Sequence, residues 1–363
     1  MAPLPEGATI GILGGGQLGR MLTVAAAELG FKCHIYAPKG DNPAFDISAA
    51  QTEAAYDDTE ALAKFARSVD VITYEFENIP LNCVQLLADA GTLFPPPKAL
   101  QVSQDRLLEK EFLQGIGIDV APFAAVDTDD DLAAALTSVG PRGILKTRRF
   151  GYDGKGQHRL DFSQESTRPA IPDDLAGPLV YEQLIDFDRE ISAIVARDAD
   201  GNCIAFPCSE NQHRDGILRT TLVPAHVCPL TSTAAVKTAM KIAENLDYRG
   251  VLAVEYFVCE PAQGGVDTLY VNEIAPRVHN SGHWTQDGCD TSQFEQHIRA
   301  VAGWPLGSVR RHSDVKMLNL LGEDQSRLAE LRALPEARLH LYGKSGWRAG
   351  RKMGHANLLS PKT

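Results

Sequence analysis

The sequence has no C-x-x-C pair. Its seven cysteines, Cys33, Cys83, Cys203, Cys208, Cys228, Cys259 and Cys289, are odd in number and scattered. That spacing argues against a zinc ribbon or a disulfide framework, and reduced, buried thiols in a cytoplasmic protein are expected. No stretch approaches the ~20 apolar residues of a membrane span. No basic segment with an apolar run opens the chain; Thr9–Leu13 reads instead as a buried strand. Positive charge is in deficit, with 47 acidic residues against 35 basic and a formal net charge of −12. Non-specific nucleic-acid binding is therefore not the expected activity, although a locally basic pocket for phosphate fits inside an acidic protein. Internal repeats and low-complexity tracts are also missing. What is present is 363 residues, 44% hydrophobic and 23% charged. This is the composition of a soluble globular protein, too long for one ordinary core, so two or three domains are expected.

The first hundred residues alternate strand and helix. Ala8–Leu13, Lys32–Tyr36 and Val69–Tyr74 read as strands; Gln17–Leu29, Glu60–Ser68 and Leu81–Ala90 read as helices. Alternation at this spacing means βαβ units and a parallel sheet. Pro95, Pro96 and Pro97 close the block, and Ser103–Gln114 reads as one charged helix leading out. Beyond Val120 the pattern becomes strands Gly143–Thr147 and Leu179–Gln183 around a glycine-rich loop, then a hairpin of Glu190–Arg197 with Cys203–Pro207. A helix at Ala234–Leu246, strands Val251–Cys259 and Thr268–Ile274, and a helix at Phe294–Val301 follow. After Trp304-Pro305 come short strands and a basic segment, Arg348–His355. The expected fold class is α/β and α+β. It comprises a parallel-sheet domain over 1–102, a two-lobed middle over 103–302 and a small, mostly β domain over 303–363.

Gly14-Gly15-Gly16-Gln17-Leu18-Gly19 follows a strand and opens a helix. Unobstructed N–H groups at a helix start favour an anion. A dinucleotide site also needs a carboxylate at the end of the second strand, yet that strand ends Tyr36-Ala37-Pro38 with no acid before Asp41. A phosphate of another ligand is the better expectation, with a tight turn alone as the plain alternative. The second glycine loop is Lys146-Thr147-Arg148-Arg149-Phe150-Gly151-Tyr152-Asp153-Gly154-Lys155-Gly156-Gln157. It can fold over a polyphosphate with N–H groups and mobile cations, but it lacks the spacing of a P-loop.

Glu255 and Glu273 interrupt apolar strands. Val251, Ala253, Glu255 and Phe257 share one face by alternation, and Glu273 is expected on the face of Leu269 and Val271. Two buried carboxylates repel and share a proton unless a cation lies between them, so a Mg²⁺ ion bridging them to ATP phosphates is expected. The alternative is that each pairs with a base such as Arg277. Arg277-Val278-His279-Asn280-Ser281-Gly282-His283 then packs polar groups of the kind that stabilise transferring phosphoryl and acyl-phosphate groups.

In this order these features resemble the ATP-grasp superfamily, and within it the N5-carboxyaminoimidazole ribonucleotide synthetase family. The residues that carry the narrower likeness are GGGQLGRM at 14–21, YEFENIP at 74–80, RFGYDGKGQ at 149–157, QHRDGILRTT at 212–221, NEIAPRVHNSGHWT at 272–285 and RKMGH at 351–355. The resemblance implies a pre-ATP-grasp first domain, a flexible lid lobe at about 120–185 and a metal-binding lobe at about 186–302. It implies that Lys146 holds the α/β-phosphates, with Arg106 entering from the exit helix. Gly151, Tyr152, Asp153, Gly154, Lys155, Gly156 and Gln157 form the lid. Glu182, Gln183, Leu184 and Ile185 form a hinge strand reading adenine through its backbone. Glu190 takes the ribose and His213 contacts the nucleotide; Glu255 and Glu273 hold Mg²⁺, with Asn272 beside the phosphates.

For the ribonucleotide substrate it implies Gly15, Gly16, Gln17, Leu18, Glu75, Arg351 and Lys352. Arg277 serves carboxyphosphate; Tyr152, Asp153 and Lys155 close over the reacting pair; Asp153 and His279 are candidate bases. Many relatives of the superfamily carry asparagine where this chain has Ala275, so a third metal contact falls to Asn272 or Asn280. The implied activity is ATP- and bicarbonate-dependent carboxylation of aminoimidazole ribonucleotide by a cytoplasmic homodimer, with no nucleic-acid or membrane partner. Rival readings are a formate-dependent glycinamide ribonucleotide transformylase, an NAD-dependent oxidoreductase and a non-catalytic nucleotide-binding subunit.

Overall fold

The computed structural model describes residues 2–151, 154–163, 169–261 and 265–363. Strands β1 (Thr9–Leu13), β2 (Lys32–Ala37), β3 (Ala50–Glu53) and β4 (Val71–Tyr74) form a parallel sheet in the order β3-β2-β1-β4. Ile10 and Ile12 face one core with α1 (Gln17–Glu28), while Ile72 and Tyr74 face another with α2 (Thr59–Arg67) and α3 (Leu81–Ala90). Burial on both faces is why these strands read as unbroken apolar runs.

The exit segment contains the expected charged helix and a shorter one before it. It consists of α4 (Pro97–Ser103) and α5 (Arg106–Gly115). Asp105 adopts an extended backbone between them, and its carboxylate accepts the N–H groups of Leu107 and Leu108, which caps a new helix. The restart turns Arg106, Glu109 and Lys110 inward rather than to solvent.

A second sheet, antiparallel and in the order β5-β8-β6-β7, contains β5 (Phe123–Val126), β6 (Arg142–Thr147), β7 (Gln157–Asp161) and β8 (Leu179–Gln183). Helix α6 (Asp129–Ser138) packs on it through Leu132 and Ala135, started by a capping box between Thr128 and Asp131.

The third sheet has nine strands: β9 (Arg189–Arg197), β10 (Cys203–Ala205), β11 (Ser209–Arg214), β12 (Ile217–Val223), β13 (Gly250–Cys259), β14 (Thr268–Ala275), β15 (Ser313–Leu321), β16 (Ala337–Leu341) and β17 (Lys352–Pro361). Their order is β14-β13-β9-β11-β12-β15-β17-β16, with β10 on β9. The strands after Trp304 therefore extend this sheet through the β12–β15 pairing. Helix α7 (Pro229–Asn245) covers one face, and α9 (Gln293–Ala302), reached through the single turn α8 (Thr285–Gly288), covers the other. One core joins α9, α1 and the strands beneath them, which fixes the first sheet against the third. No helix among the described residues is long and apolar enough to cross a membrane.

Candidate active site

The three sheets converge on a cavity of about 1100 Å³. One wall comes from β6, β8 and α5. Lys146, at the end of β6, reaches diagonally to Glu182 on β8, with Nζ 2.9 Å from Oε2. Lys110 from α5 lies 3.1 Å from the same oxygen. Burial alone would raise the Glu182 carboxyl, but the two ammonium groups hold it at about 2. Burial, with Lys110 and Arg106 nearby, pushes Lys146 below its usual range in spite of Glu182. Two cations share one carboxylate, so the wall keeps a surplus of positive charge for an anion. The Glu182 side chain is thus engaged by two lysines. The N–H groups of Gln183 and Leu184 donate to Pro122 and Arg142 carbonyls, and Glu182, Gln183, Leu184 and Ile185 stand beside the lining rather than in it. Phe187 and Phe257 stack at 4.5 Å and 9° to make an apolar shelf facing Ile144.

The opposite wall is β13 and β14. Glu255 and Glu273 are directly opposite each other in the antiparallel pair and both line the cavity. Glu273 does not share a face with Leu269 and Val271, as simple alternation predicts. Those two pack into the core under α7, while Asn272 and Glu273 both face the cavity. The reason is a β-bulge: Glu255 pairs with Glu273 but Tyr256 pairs with Val271, so Asn272 is the extra residue and the alternation flips there. Burial, and then the Glu273 charge, push Glu255 up to about 8. No cluster of three His, Cys, Asp or Glu side chains is set to hold a metal among the described residues. Two facing carboxylates with little cationic compensation nonetheless suit a hard divalent ion whose other ligands come from phosphate. Each has a base at the long end of ion-pair distance, Arg106 at 3.7 Å from Glu273 and His279 at 3.7 Å from Glu255. Arg277 is not their partner; it pairs with Glu77 at 2.7 Å. Behind the wall, the buried Glu109 accepts the Ile274 N–H at 2.6 Å.

The floor is the first glycine loop and the 277–283 segment. The Gly16 N–H donates to Glu75 Oε1 at 2.8 Å. A side chain of the chain itself, Glu75, thus takes one N–H group of this helix start. A Cβ on Gly19 would lie 2.6 Å from the Gly14 carbonyl, so the loop's glycines serve close strand–helix packing, and Gly15 packs on Asn42. Gly16, Gln17, Leu18 and Glu75 line the cavity. Ala275 is buried in the core, whereas both polar atoms of the Asn280 amide are buried beside the cavity with no hydrogen-bond partner among the described residues. Burial, and then Arg277, push the His279 imidazole well below its usual range.

The roof is the second glycine loop and the tail. Gly151, Gly154, Lys155 and Gln157 line the cavity; Gly156 packs its backbone on Thr147; Tyr152 and Asp153 lie outside the described residues. Phe150 turns through a left-handed backbone (φ 63°) and is 66% exposed. His213 Nδ1 sits 3.1 Å from Glu190 Oε2, both in the lining. Lys352 lines the cavity together with Lys344, which burial pushes down to about 8. Arg351 is bound instead to Asp41, beside the first sheet.

The sequence matches the ATP-grasp domain family over residues 111–294, the ribonucleotide synthetase preATP-grasp domain over 7–104 and the phosphoribosylaminoimidazole carboxylase C-terminal domain over 316–363. It is 50% identical over 361 residues to an N5-carboxyaminoimidazole ribonucleotide synthase of Brucella melitensis, covering 99% of this chain and 98% of that one. The chain belongs to the N5-carboxyaminoimidazole ribonucleotide synthase family. Its fold superposes on the Staphylococcus aureus N5-carboxyaminoimidazole synthetase complexed with ADP at a TM-score of 0.91, 38% identity and 100% and 95% coverage. An Aspergillus clavatus N5-carboxyaminoimidazole synthase in complex with ADP and 5-aminoimidazole ribonucleotide superposes at 0.86, with 29% identity and 98% and 95% coverage.

For this synthase family member, sequence reasoning missed Lys110 in the wall beside the cavity, and Glu77 and Lys344 in its lining. Lys110 had a signal: it stands four residues after Arg106 and so shares its helix face. Glu77 had a weaker one, two residues beyond Glu75 on an extended segment. Lys344, between Gly343 and Ser345, had none.

Proposed function

We propose that this chain carboxylates the exocyclic amine of 5-aminoimidazole ribonucleotide, using ATP and bicarbonate, to give N5-carboxyaminoimidazole ribonucleotide, ADP and phosphate in purine biosynthesis. Bicarbonate is a poor electrophile. Transfer of the γ-phosphoryl group to it makes carboxyphosphate, a mixed anhydride that the amine, or CO₂ capture by the amine, can resolve. The protein's tasks are positioning, charge neutralisation and exclusion of water.

The observation that carries this reading is one cavity shared by the Lys146 wall, the Glu255–Glu273 pair and the Arg277–Asn280 segment. Lys146 and Arg106 hold ATP phosphates, and Phe187 and Phe257 pack the base. Glu182, Gln183, Leu184 and Ile185 form the hinge, and Glu190 with His213 takes the ribose. Glu255 and Glu273, with Asn272 or Asn280, would hold Mg²⁺, which supplies charge neutralisation at the phosphates when bound. Arg277 and His279 hold carboxyphosphate, the neutral imidazole being able to accept a proton. Gln17, Leu18, Glu75, Lys344 and Lys352 surround the ribonucleotide, the cations suiting its 5′-phosphate, and Arg351 would join them by leaving Asp41. Tyr152, Asp153 and Lys155 belong to the lid, with Gly151 to Gln157 closing over the reactants. A cytoplasmic homodimer, with the ATP-binding region at 103–302, completes the reading on family likeness.

Purified protein should consume ATP only when aminoimidazole ribonucleotide and bicarbonate are both supplied, with N5-carboxyaminoimidazole ribonucleotide as product. Turnover dependent on formate and glycinamide ribonucleotide would overturn it.

A further inference from the structure

Gln293, at the first turn of α9, lies outside the cavity lining and is fully buried. Its side-chain amide is nonetheless spent on the segment that borders the cavity. Oε1 accepts the His279 N–H at 2.9 Å, and Nε2 donates to the His279 carbonyl at 2.7 Å. The amide therefore pairs with both backbone groups of one residue, as a neighbouring strand would. Nε2 also lies 3.1 Å from His283 Nδ1. Its own backbone N–H, one of the donors a helix start leaves unused, goes to Thr285 Oγ1 at 2.9 Å, and that hydroxyl donates to the Gly282 carbonyl at 2.6 Å. Space confirms the fit: a Cβ on Gly282 would lie 2.5 Å from Gln293 Oε1. A buried amide with this many partners is costly to misplace, so it enforces one backbone path through 279–283.

We propose that Gln293 is a positioning residue for the reaction, holding the His279 backbone so that the side chains of Arg277, His279 and Asn280 stay on the cavity. This rests on the reading of that segment as the carboxyphosphate site. When the amide is lost, the segment drifts and water reaches the intermediate. Water then breaks the anhydride bond, returning bicarbonate and phosphate, and ATP is spent without product.

The test uses full-length Gln293→Met, Gln293→Glu and Gln293→Asn proteins, with Asn280→Ala and His279→Ala as references. The readouts are ADP formed per carboxylated product and KM for ATP. For Gln293→Met, ADP per product should rise several-fold over wild type and product formation should fall about tenfold or more, while KM for ATP stays within about twofold. Gln293→Glu, which keeps only the bond from the His279 N–H, should fall between, and it serves if Gln293→Met does not fold. Tight coupling in a folded Gln293→Met or Gln293→Glu protein, or equal losses for every substrate tracking lowered Tm, would overturn the inference. If Asn280→Ala and His279→Ala also stay coupled at full rate, the reading of the segment itself fails; if they uncouple and the Gln293 variants do not, only the positioning role fails.

Discussion

Glu182 and Glu255 are both buried carboxylates on strands beside one cavity, yet their surroundings drive them to opposite protonation. Lys146 and Lys110 hold Glu182 at about 2 against its burial, whereas burial and the facing Glu273 push Glu255 up to about 8. Burial is common to both, so the partner decides. The first carboxylate finds its counter-charges within the chain and fixes a lysine. The second faces another carboxylate across the strand pair.

The largest effect that sharpens this contrast is on activity. Glu273→Gln should lower turnover by about a thousandfold, several kcal/mol of lost charge stabilisation, with the circular dichroism spectrum and Tm retained. Near-normal turnover would erase the distinction between the two glutamates. Next is stability. Glu182→Gln leaves Lys146 and Lys110 buried without a counter-charge, a loss of about 3–5 kcal/mol in denaturant unfolding. Glu255→Gln should instead hold or raise the stability of the ligand-free protein at pH 8, since it removes one of two facing charges.

The pH dependence follows in size. Glu109, which burial pushes up to about 8, and Glu255 keep protons in the fold that they give up in the unfolded chain. A raised carboxyl pKa means the folded state binds more protons, so stability should fall as pH rises from about 7 to about 8, above the range in which the buried His279, His283, His297 and His355 oppose it by protonating only on unfolding. Thermal melts across that range check the sign, and a melt that strengthens with pH would contradict it. The smallest effect is Glu109→Gln. The amide oxygen still accepts the Ile274 N–H, so Tm at low pH should barely move while the pH slope becomes shallower.

Much of the fold was legible in the sequence, because the βαβ spacing and the alternating strands reflect what each face buries. The Glu255–Glu273 pair was legible too, as acids in apolar runs. The face of Glu273 was not, because a one-residue bulge at Asn272 reverses alternation and leaves no compositional mark. The pattern of the first glycine loop does not record that Glu75, 59 residues away, takes the Gly16 N–H. Helix α5 read only as charged; that its charges point inward depends on the Asp105 cap and on Glu182, which lie in different elements. Gln293 carries no signal at all, since its importance lies in the backbone of a residue on another loop.

The central claim is that Glu255 and Glu273 share a site for a divalent ion at the ATP phosphates. Calorimetric titration with Mg²⁺ and a non-hydrolysable ATP analogue at pH 7, repeated in buffers of different ionisation enthalpy, counts the protons released on binding. Wild type should release about one proton more than Glu255→Gln and bind the nucleotide far more tightly with Mg²⁺ than without it. Equal proton release and equal Mg²⁺ dependence in the two proteins would contradict the account.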